Sequence, residues 1–255
     1  MKVLAVIPAR FASTRFPGKP LAMLDGKPVI QWVWDSLSAI PELAGIVVAT
    51  DDERIVEAVQ HFGGRAMMTS AEHRSGTDRC GEVLRTLEAS GEHYDVVVNV
   101  QGDEPFTRKS QIQSLIACFE DAGTEIATLK TSIRNTAELT SPNNVKVICT
   151  AKGRAVYFSR QPIPYLRGEE QEKWLERQPY YKHIGIYAFR SETLKEVVCL
   201  PQSALEVSES LEQLRWLENG YAIEVRETES ANIGIDTPED LAEAERHLKD
   251  LFLIK

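Results

Sequence analysis

Val3-Leu-Ala-Val-Ile-Pro-Ala-Arg-Phe-Ala-Ser-Thr-Arg-Phe-Pro-Gly-Lys-Pro-Leu21 decides how this chain is read. Val3 to Ile7 is an apolar run with the length of one buried strand. Pro8 breaks it, and the next segment carries Arg10, Arg15 and Lys19 around Gly18. A buried strand that empties into a cationic loop is a place to hold a polyphosphate. The loop is neither GxxxxGK[ST] nor GxGxxG, since Gly18 is its only glycine. Cationic side chains must therefore do much of what backbone N–H groups do in those motifs.

Working outward, the chain alternates between strands and helices. Asp25-Gly26 reads as a tight turn, and Pro28 opens a helix to about Ala39 with Ile30, Val33, Trp34 and Leu37 on one face. Ile46 to Ala49 is a second short strand. A helix follows Thr50-Asp51-Asp52, placing Ile55, Val56, Val59 and Phe62 inward, and Gly63-Gly64 stops it. Arg65 to Met68 is a third strand. This rhythm predicts an α/β fold with a parallel sheet and helices on both faces.

Two more polar loops follow strands. Thr69 to Asp78 holds His73, Arg74, Ser75 and Asp78 before a helix from about Thr77 to Leu87. Ser75-Gly-Thr-Asp suits a helix N-cap and an anion site equally, because a helix N-terminus serves as both. Asp95 to Val100 is the strongest strand and ends in Gln101-Gly-Asp-Glu-Pro105. Asp103 there could hold a metal ion on a phosphate, or cap a helix expected at Lys109 to Phe119.

The rhythm fails across 126–190. Strands are expected at Ile126–Thr131, Val145–Thr150, Ala155–Phe158 and Tyr180–Phe189, and residues 167–178 read as a charged, mobile connector. An antiparallel lobe is expected at about 126–200, within a single domain spanning 1–255. A helix at Ser208 to Asn219, a strand at Ile223 to Val225 and a final helix after Asp236-Thr-Pro238 to about Leu248 complete the pattern.

The 255 residues are 43% hydrophobic and 26% charged, ordinary for a soluble globular protein. A net charge of −9 argues against nucleic acid or an anionic membrane as partner. Cys80, Cys118, Cys149 and Cys199 form no CxxC pair or ligand spacing, so free thiols in a reducing compartment are expected. Val3–Ile7 is too short for a signal-peptide core, and no stretch reaches transmembrane length. The expectation is a cytoplasmic protein.

Six segments together resemble the 3-deoxy-manno-octulosonate cytidylyltransferases, the CMP-Kdo synthetases. They are Pro8-Ala-Arg-Phe-Ala-Ser-Thr-Arg-Phe-Pro-Gly-Lys19, His73-Arg-Ser-Gly-Thr-Asp78, Asn99-Val-Gln-Gly-Asp-Glu-Pro105, His183-Ile-Gly-Ile-Tyr187, Leu211-Glu-Gln-Leu214 and Ile235-Asp-Thr-Pro-Glu-Asp240. Phe11 stands where many relatives carry Tyr. The resemblance implies a Rossmann-like three-layer nucleotidyltransferase fold with a mostly parallel central sheet and a smaller irregular, antiparallel lobe. It implies reaction of CTP with Kdo to give CMP-Kdo and pyrophosphate, for lipopolysaccharide biosynthesis. It also implies Mg²⁺ as cofactor and a homodimer, with no nucleic-acid or membrane partner.

By the same resemblance, Arg10, Lys19, Asp103 and Asp236 are catalytic, with Asp103 and Asp236 as the Mg²⁺ ligands. Pro8, Ala9, Arg10, Ser13, Arg15, Lys19, Arg74 and Ser75 would hold the nucleotide. Gln101, Arg160, His183, Tyr187, Glu212 and Gln213 would hold Kdo, with the planar fork of Arg160 suited to its carboxylate. Taken alone, Tyr187 and His183 also read as packing residues and Glu212 as a solvated helix charge. A related acid (sialate or an 8-amino analogue) would leave the nucleotide half unchanged. A non-catalytic nucleotide-sugar-binding protein would have no need of the carboxylate pair.

Overall fold

The computed structural model describes residues 1–12, 15–229 and 234–253. It divides into two units, Met1–Gln113 with Asn232–Lys255, and Ser114–Ala231.

The first unit begins with β1 (Val3–Ala9), every residue of which is buried. A short hairpin, β2 (Met23–Leu24) and β3 (Lys27–Pro28), leads into α1 (Val29–Ser38). Val29, Ile30, Val33 and Leu37 of α1 are buried, the spacing of one helical face. β4 (Leu43–Thr50) is followed by α2 (Glu53–His61), which Asp52 caps by accepting the Arg54 N–H at 3.0 Å. Then come β5 (Ala66–Met68), α3 (Gly76–Ala89), β6 (Val96–Asn99) and the first half of α4 (Lys109–Cys118), whose residues from Ser114 on are counted in the second unit. β1 lies between β6 and β4, and β5 pairs with β4, all parallel. Ala5, for example, faces Ile46 on one side and Val98 on the other. Strands covered on both faces read as continuous apolar runs, which explains the Val/Ile-rich β1 and β6.

The second unit is mainly antiparallel. It contains β7 (Ile126–Ser132), α5 (Thr136–Thr140), β8 (Lys146–Cys149), β9 (Ala155–Ser159), α6 (Trp174–Arg177), β10 (Tyr181–Arg190), α7 (Ser191–Val197), α8 (Ala204–Glu209), α9 (Gln213–Glu218) and β11 (Ile223–Glu227). β10 runs antiparallel to β7 and touches β8 at Lys182–Lys146. β8 runs antiparallel to β9, while β11 is parallel to β7. The parallel sheet of the first unit and the antiparallel middle segment are the α/β arrangement expected. The chain ends in α10 (Pro238–Leu253), whose Ala244 and Leu248 pack in the first unit with Leu24, Val29 and Ile235.

Three local readings change. The helix expected at 208–219 is only α9 (Gln213–Glu218), because α8 (Ala204–Glu209) ends at Ser210, whose left-handed conformation (φ 52°) no α-helix continues through. Helices α5, α7 and most of α8 lie where the sequence reading expects none. Each is two turns or less, too short for a 3.6-residue pattern to show. The 167–178 connector is not an unanchored linker. Trp174 is buried and its ring stacks on Tyr180 with centroids 5.9 Å apart. Its indole N–H donates to the Glu169 carbonyl at 3.1 Å, and Ile133 and Leu139 complete the cluster. One aromatic anchor leaves no periodic stripe, so sequence patterning misses it.

Trp174→Ala should therefore destabilise the protein by about 3–5 kcal/mol in denaturant unfolding. A cost below about 1 kcal/mol would mean that the segment is only loosely attached.

Candidate active site

The parallel strands deliver their polar loops to one place. Pro8 and Ala9 end β1, Gln101 to Asp103 follow β6, and Ser75 and Gly76 open α3. In parallel α/β sheets this carboxyl edge is where ligands bind. A cleft of about 280 Å³ lies there, lined by Pro8, Ala9, Arg10, Arg15, Lys19, Pro20, His73, Arg74, Ser75, Gly76, Arg79, Gln101, Gly102, Asp103 and Asp236. Every residue expected to hold nucleotide or metal is on that wall except Ser13, which lies outside the described residues. Gln101, expected on the sugar side, lines it too.

Close approach of the loops requires glycine at 102. A Cβ on Gly102 would lie 2.8 Å from the Pro8 carbonyl oxygen, a backbone atom that cannot swing aside. Gly18 matters for a different reason. Its φ of 73° turns the basic loop, with its N–H donating to Phe11 O at 2.9 Å, and Lys19 follows directly.

Lys19 is the electrostatic centre of the cleft. Its ammonium donates to Asp103 Oδ2 and, at 3.0 Å, to Asp236 Oδ1. Arg15 reaches the other oxygen of Asp236 at 3.0 Å. The two carboxylates are 133 positions apart (236 − 103) yet meet on one cation. A backbone hydrogen bond from Ile235 N–H to Asp103 O, 2.9 Å, holds their carriers together. Asp103 does not take its capping alternative, and Asp236 is not the cap of α10 either. Thr237 and Asp240 cap α10, with Asp240 Oδ2 accepting the Asp236 and Thr237 N–H groups at 2.9 and 2.8 Å. Gln111 Oε1 accepts the Arg108 N–H at the start of α4.

The α3 terminus is built as a capping box. Ser75 Oγ accepts the Asp78 N–H at 3.1 Å, and Asp78 Oδ2 accepts the Ser75 N–H at 3.1 Å. His73 Nε2 pairs with Glu82 Oε2, which also accepts the Ser70 N–H at 2.9 Å. Burial alone would raise the Glu82 pKa, but the Ser70 N–H and His73 outweigh it and hold the carboxyl below its usual range. Arg79 was not singled out from the sequence. It is buried and ties three segments together, donating to Asp51 Oδ2 (2.6 Å), Thr69 Oγ1 (2.7 Å) and the Ser70 carbonyl (3.1 Å). An arginine beside Cys80 on the apolar face of a helix was the available signal.

The other residues expected on the sugar side belong to the second unit. His183 and Tyr187 lie on β10 with ring centroids 5.2 Å apart. The His183 Nε2 contacts Thr128 Oγ1 at 2.9 Å, and that hydroxyl also lies 2.8 Å from Ile186 O and 3.2 Å from Ile184 O. Carbonyls only accept, so they claim the single hydroxyl hydrogen. Nε2 therefore carries the ring proton and Nδ1 is left as an acceptor. Burial pushes the His183 pKa down from 6.5 to about 3, so the ring is neutral. The Tyr187 hydroxyl is buried without a hydrogen-bond partner among the described residues. Burial first, and the nearby Glu212 charge second, raise its pKa well above the usual value. Gln213 is buried at the start of α9.

Arg160 is more committed than the sequence suggests. Its guanidinium donates to the carbonyls of Glu209 (2.7 Å), Pro142 (2.9 Å) and Ser210 (3.2 Å). Of five N–H donors this leaves one on each terminal nitrogen for a ligand.

The family model described as cytidylyltransferase matches residues 4–228, and the chain belongs to that family. Its relatives narrow the membership to the 3-deoxy-manno-octulosonate cytidylyltransferases. The chain is 56% identical over 252 residues to the one from Phocaeicola vulgatus, covering 98% of both chains. It is 54% identical over 248 residues to the one from Parabacteroides distasonis, covering 96% of this chain and 97% of the relative. A solved CMP:2-keto-3-deoxy-manno-octonic acid synthetase complexed with CTP superposes with a TM-score of 0.90 at 41% identity, covering 98% of this chain and 99% of the other.

The neutral His183 makes stability depend on pH in one direction. The unfolded ring takes a proton near pH 6.5, the folded ring only near pH 3. Its stabilisation is thus complete above pH 6.5 and is lost as pH falls towards 3, by up to about 1.4 kcal/mol per pH unit. In His183→Gln this component is missing, so the stability gap between wild type and variant should narrow on acidification. Parallel stability–pH curves for the two proteins would show that the ring titrates normally in the fold.

Proposed function

We propose that this chain transfers a cytidylyl group from CTP to the anomeric hydroxyl of Kdo, releasing pyrophosphate and forming CMP-Kdo for lipopolysaccharide biosynthesis. The observation that carries this reading is the convergence of Lys19, Asp103 and Asp236 in a cleft lined by Arg10, Arg15 and Arg74. The names of its relatives and the CTP-bound neighbour support it.

The chemistry asks for this distribution of charge. An anionic sugar acid must approach an anionic triphosphate, and negative charge grows on the departing pyrophosphate. Arg10, Arg15 and Lys19 place fixed positive charge along the phosphates. Pro8, Ala9, Arg74 and Ser75 offer backbone and side-chain groups to the few polar edges of a pyrimidine. His73 is held against Glu82 and no cysteine lines the cleft, so in-line attack by the sugar hydroxyl fits better than a covalent enzyme intermediate.

Asp103 and Asp236 would hold Mg²⁺. The fit rests on two carboxylates whose oxygens already share one cation, Lys19. No group of three or more His, Cys, Asp or Glu suited to a metal occurs among the described residues, and Mg²⁺ asks for only one or two carboxylates beside phosphate oxygens. Bound there, Mg²⁺ would offset phosphate charge and acidify the attacking hydroxyl.

For the sugar, Gln101, Glu212 and Gln213 suit hydroxyl groups, and the two spare N–H groups of Arg160 suit the carboxylate. The unpartnered Tyr187 hydroxyl and the His183 Nδ1 acceptor would each gain a partner from a polyhydroxylated ligand. Val156, Leu205 and Val207 expose apolar side chains on the second unit, and a homodimer would cover such surface. The four cysteines, none of them in a disulfide, suit a cytoplasmic enzyme. No described helix is long and apolar enough to cross a membrane.

Pyrophosphate release tests the reading directly. CTP with Kdo should far exceed ATP or GTP with Kdo, and CTP with sialate. Comparable turnover with a purine triphosphate, or none with any sugar acid, would overturn it. Asp103→Asn and Asp236→Asn should each lower kcat by about a hundred-fold or more. The double variant should lose much less than the product, since groups acting as one unit are not additive. Losses that multiply would place the carboxylates in separate roles.

A further inference from the structure

The Lys19 ammonium stands where the two proposed metal ligands meet. It contacts Asp103 Oδ2 and Asp236 Oδ1, while Asp236 Oδ2 is taken by Arg15. The Lys19 side chain is 11% exposed and that of Arg15 65% exposed. Lys19 is therefore the counter-ion that matters, and Arg15 adds a solvent-screened contact. A divalent cation that uses the same oxygens competes with this ammonium for them.

Each exchange is unfavourable alone. A metal ion arriving alone displaces the ammonium and strands a nearly buried positive charge. A triphosphate arriving alone can draw Lys19 to its own oxygens, for Lys19 lines the cleft, but then leaves two facing carboxylates beside a polyanion. When both arrive, the ammonium passes to phosphate, the carboxylates pass to the metal, and every charge keeps a partner.

We propose that Lys19 is a charge clasp on Asp103 and Asp236 that nucleoside triphosphate and divalent cation open jointly, so that each raises the affinity of the other. The coupling is reciprocal by thermodynamic necessity. This inference rests on the reading of Asp103 and Asp236 as the metal pair, which the experiment tests separately.

Mn²⁺ binding is measured by the loss of the free-ion electron paramagnetic resonance signal, on the full chain without nucleotide. Wild type should bind Mn²⁺ weakly. Lys19→Met keeps the aliphatic stem and removes the charge, and should bind it roughly tenfold or more tightly, within the range of ordinary coupling. Adding Asp103→Asn to that variant should abolish the gain. Lys19→Gln, which keeps hydrogen-bonding groups near the carboxylates, repeats the test should the methionine variant not fold. Equal Mn²⁺ affinity in wild type and both Lys19 variants, or a gain that survives Asp103→Asn, overturns the clasp. With CTP present, which itself binds Mn²⁺, the Mn²⁺ held by the protein is read by equilibrium dialysis, and it should fall from wild type to Asp103→Asn or Asp236→Asn. If neither substitution changes it, the metal reading falls and the clasp with it. If they lower it while Lys19→Met binds no tighter than wild type without nucleotide, the clasp alone falls.

Discussion

A nearly buried ammonium between two carboxylates is the constraint around which the cleft is arranged. Lys19, Asp103 and Asp236 come from the turn after β1, the loop after β6 and the approach to α10. Removing the ammonium would leave two facing carboxylates without their shared cation. The three segments are thus bound to each other by the same charges that serve the site. Backbone agrees with side chain here, since the Ile235–Asp103 hydrogen bond fixes the two acidic loops independently of their charges.

Around that centre the fold brings backbone very close to backbone. Gly102 presses on the Pro8 carbonyl, and Gly76 leaves only 3.1 Å between a would-be Cβ and the Pro8 ring. The loops after β1 and β6 and the start of α3 therefore form one surface. Arg79 fastens its far side by joining the segment after β4 and the one after β5 to α3. The result is a local concentration of cations in a protein whose net charge is −9. A polyanion is attracted to the cleft while the remaining surface repels it.

The second unit works by a different principle. Its candidate sugar residues are set by desolvation and by exhausted donors and acceptors. Thr128 has one hydrogen and two carbonyls competing for it, and that decides which nitrogen of His183 carries its proton. Arg160 is oriented by three carbonyls on two segments, so its remaining N–H groups point where the backbone directs them. Glu209 completes this corner by accepting from Ser159 Oγ at 2.6 Å and from the Arg160 N–H at 2.9 Å. Buried Lys146 adds a donor to the Arg160 carbonyl.

By itself, the sequence determined the parallel α/β half and the three polar loops at its edge. Long apolar strands, capped helices and glycine turns are local signals, and here local propensity and tertiary packing agree. It also marked Arg10, Lys19, Asp103 and Asp236, through motifs that survive without knowledge of distance. What it left undecided depended on contacts remote in sequence. Whether Asp103 caps a helix or pairs with Asp236 could be answered only by the loop that carries Lys19 between them. Trp174 anchors a stretch with no apolar period, and Ser210 breaks the backbone just before leucines that keep helical spacing. Arg79 became a strut only because Asp51 and Thr69 lie on neighbouring loops. In each case the deciding partner lies beyond the window in which periodicity and capping operate, so tertiary structure alone could choose.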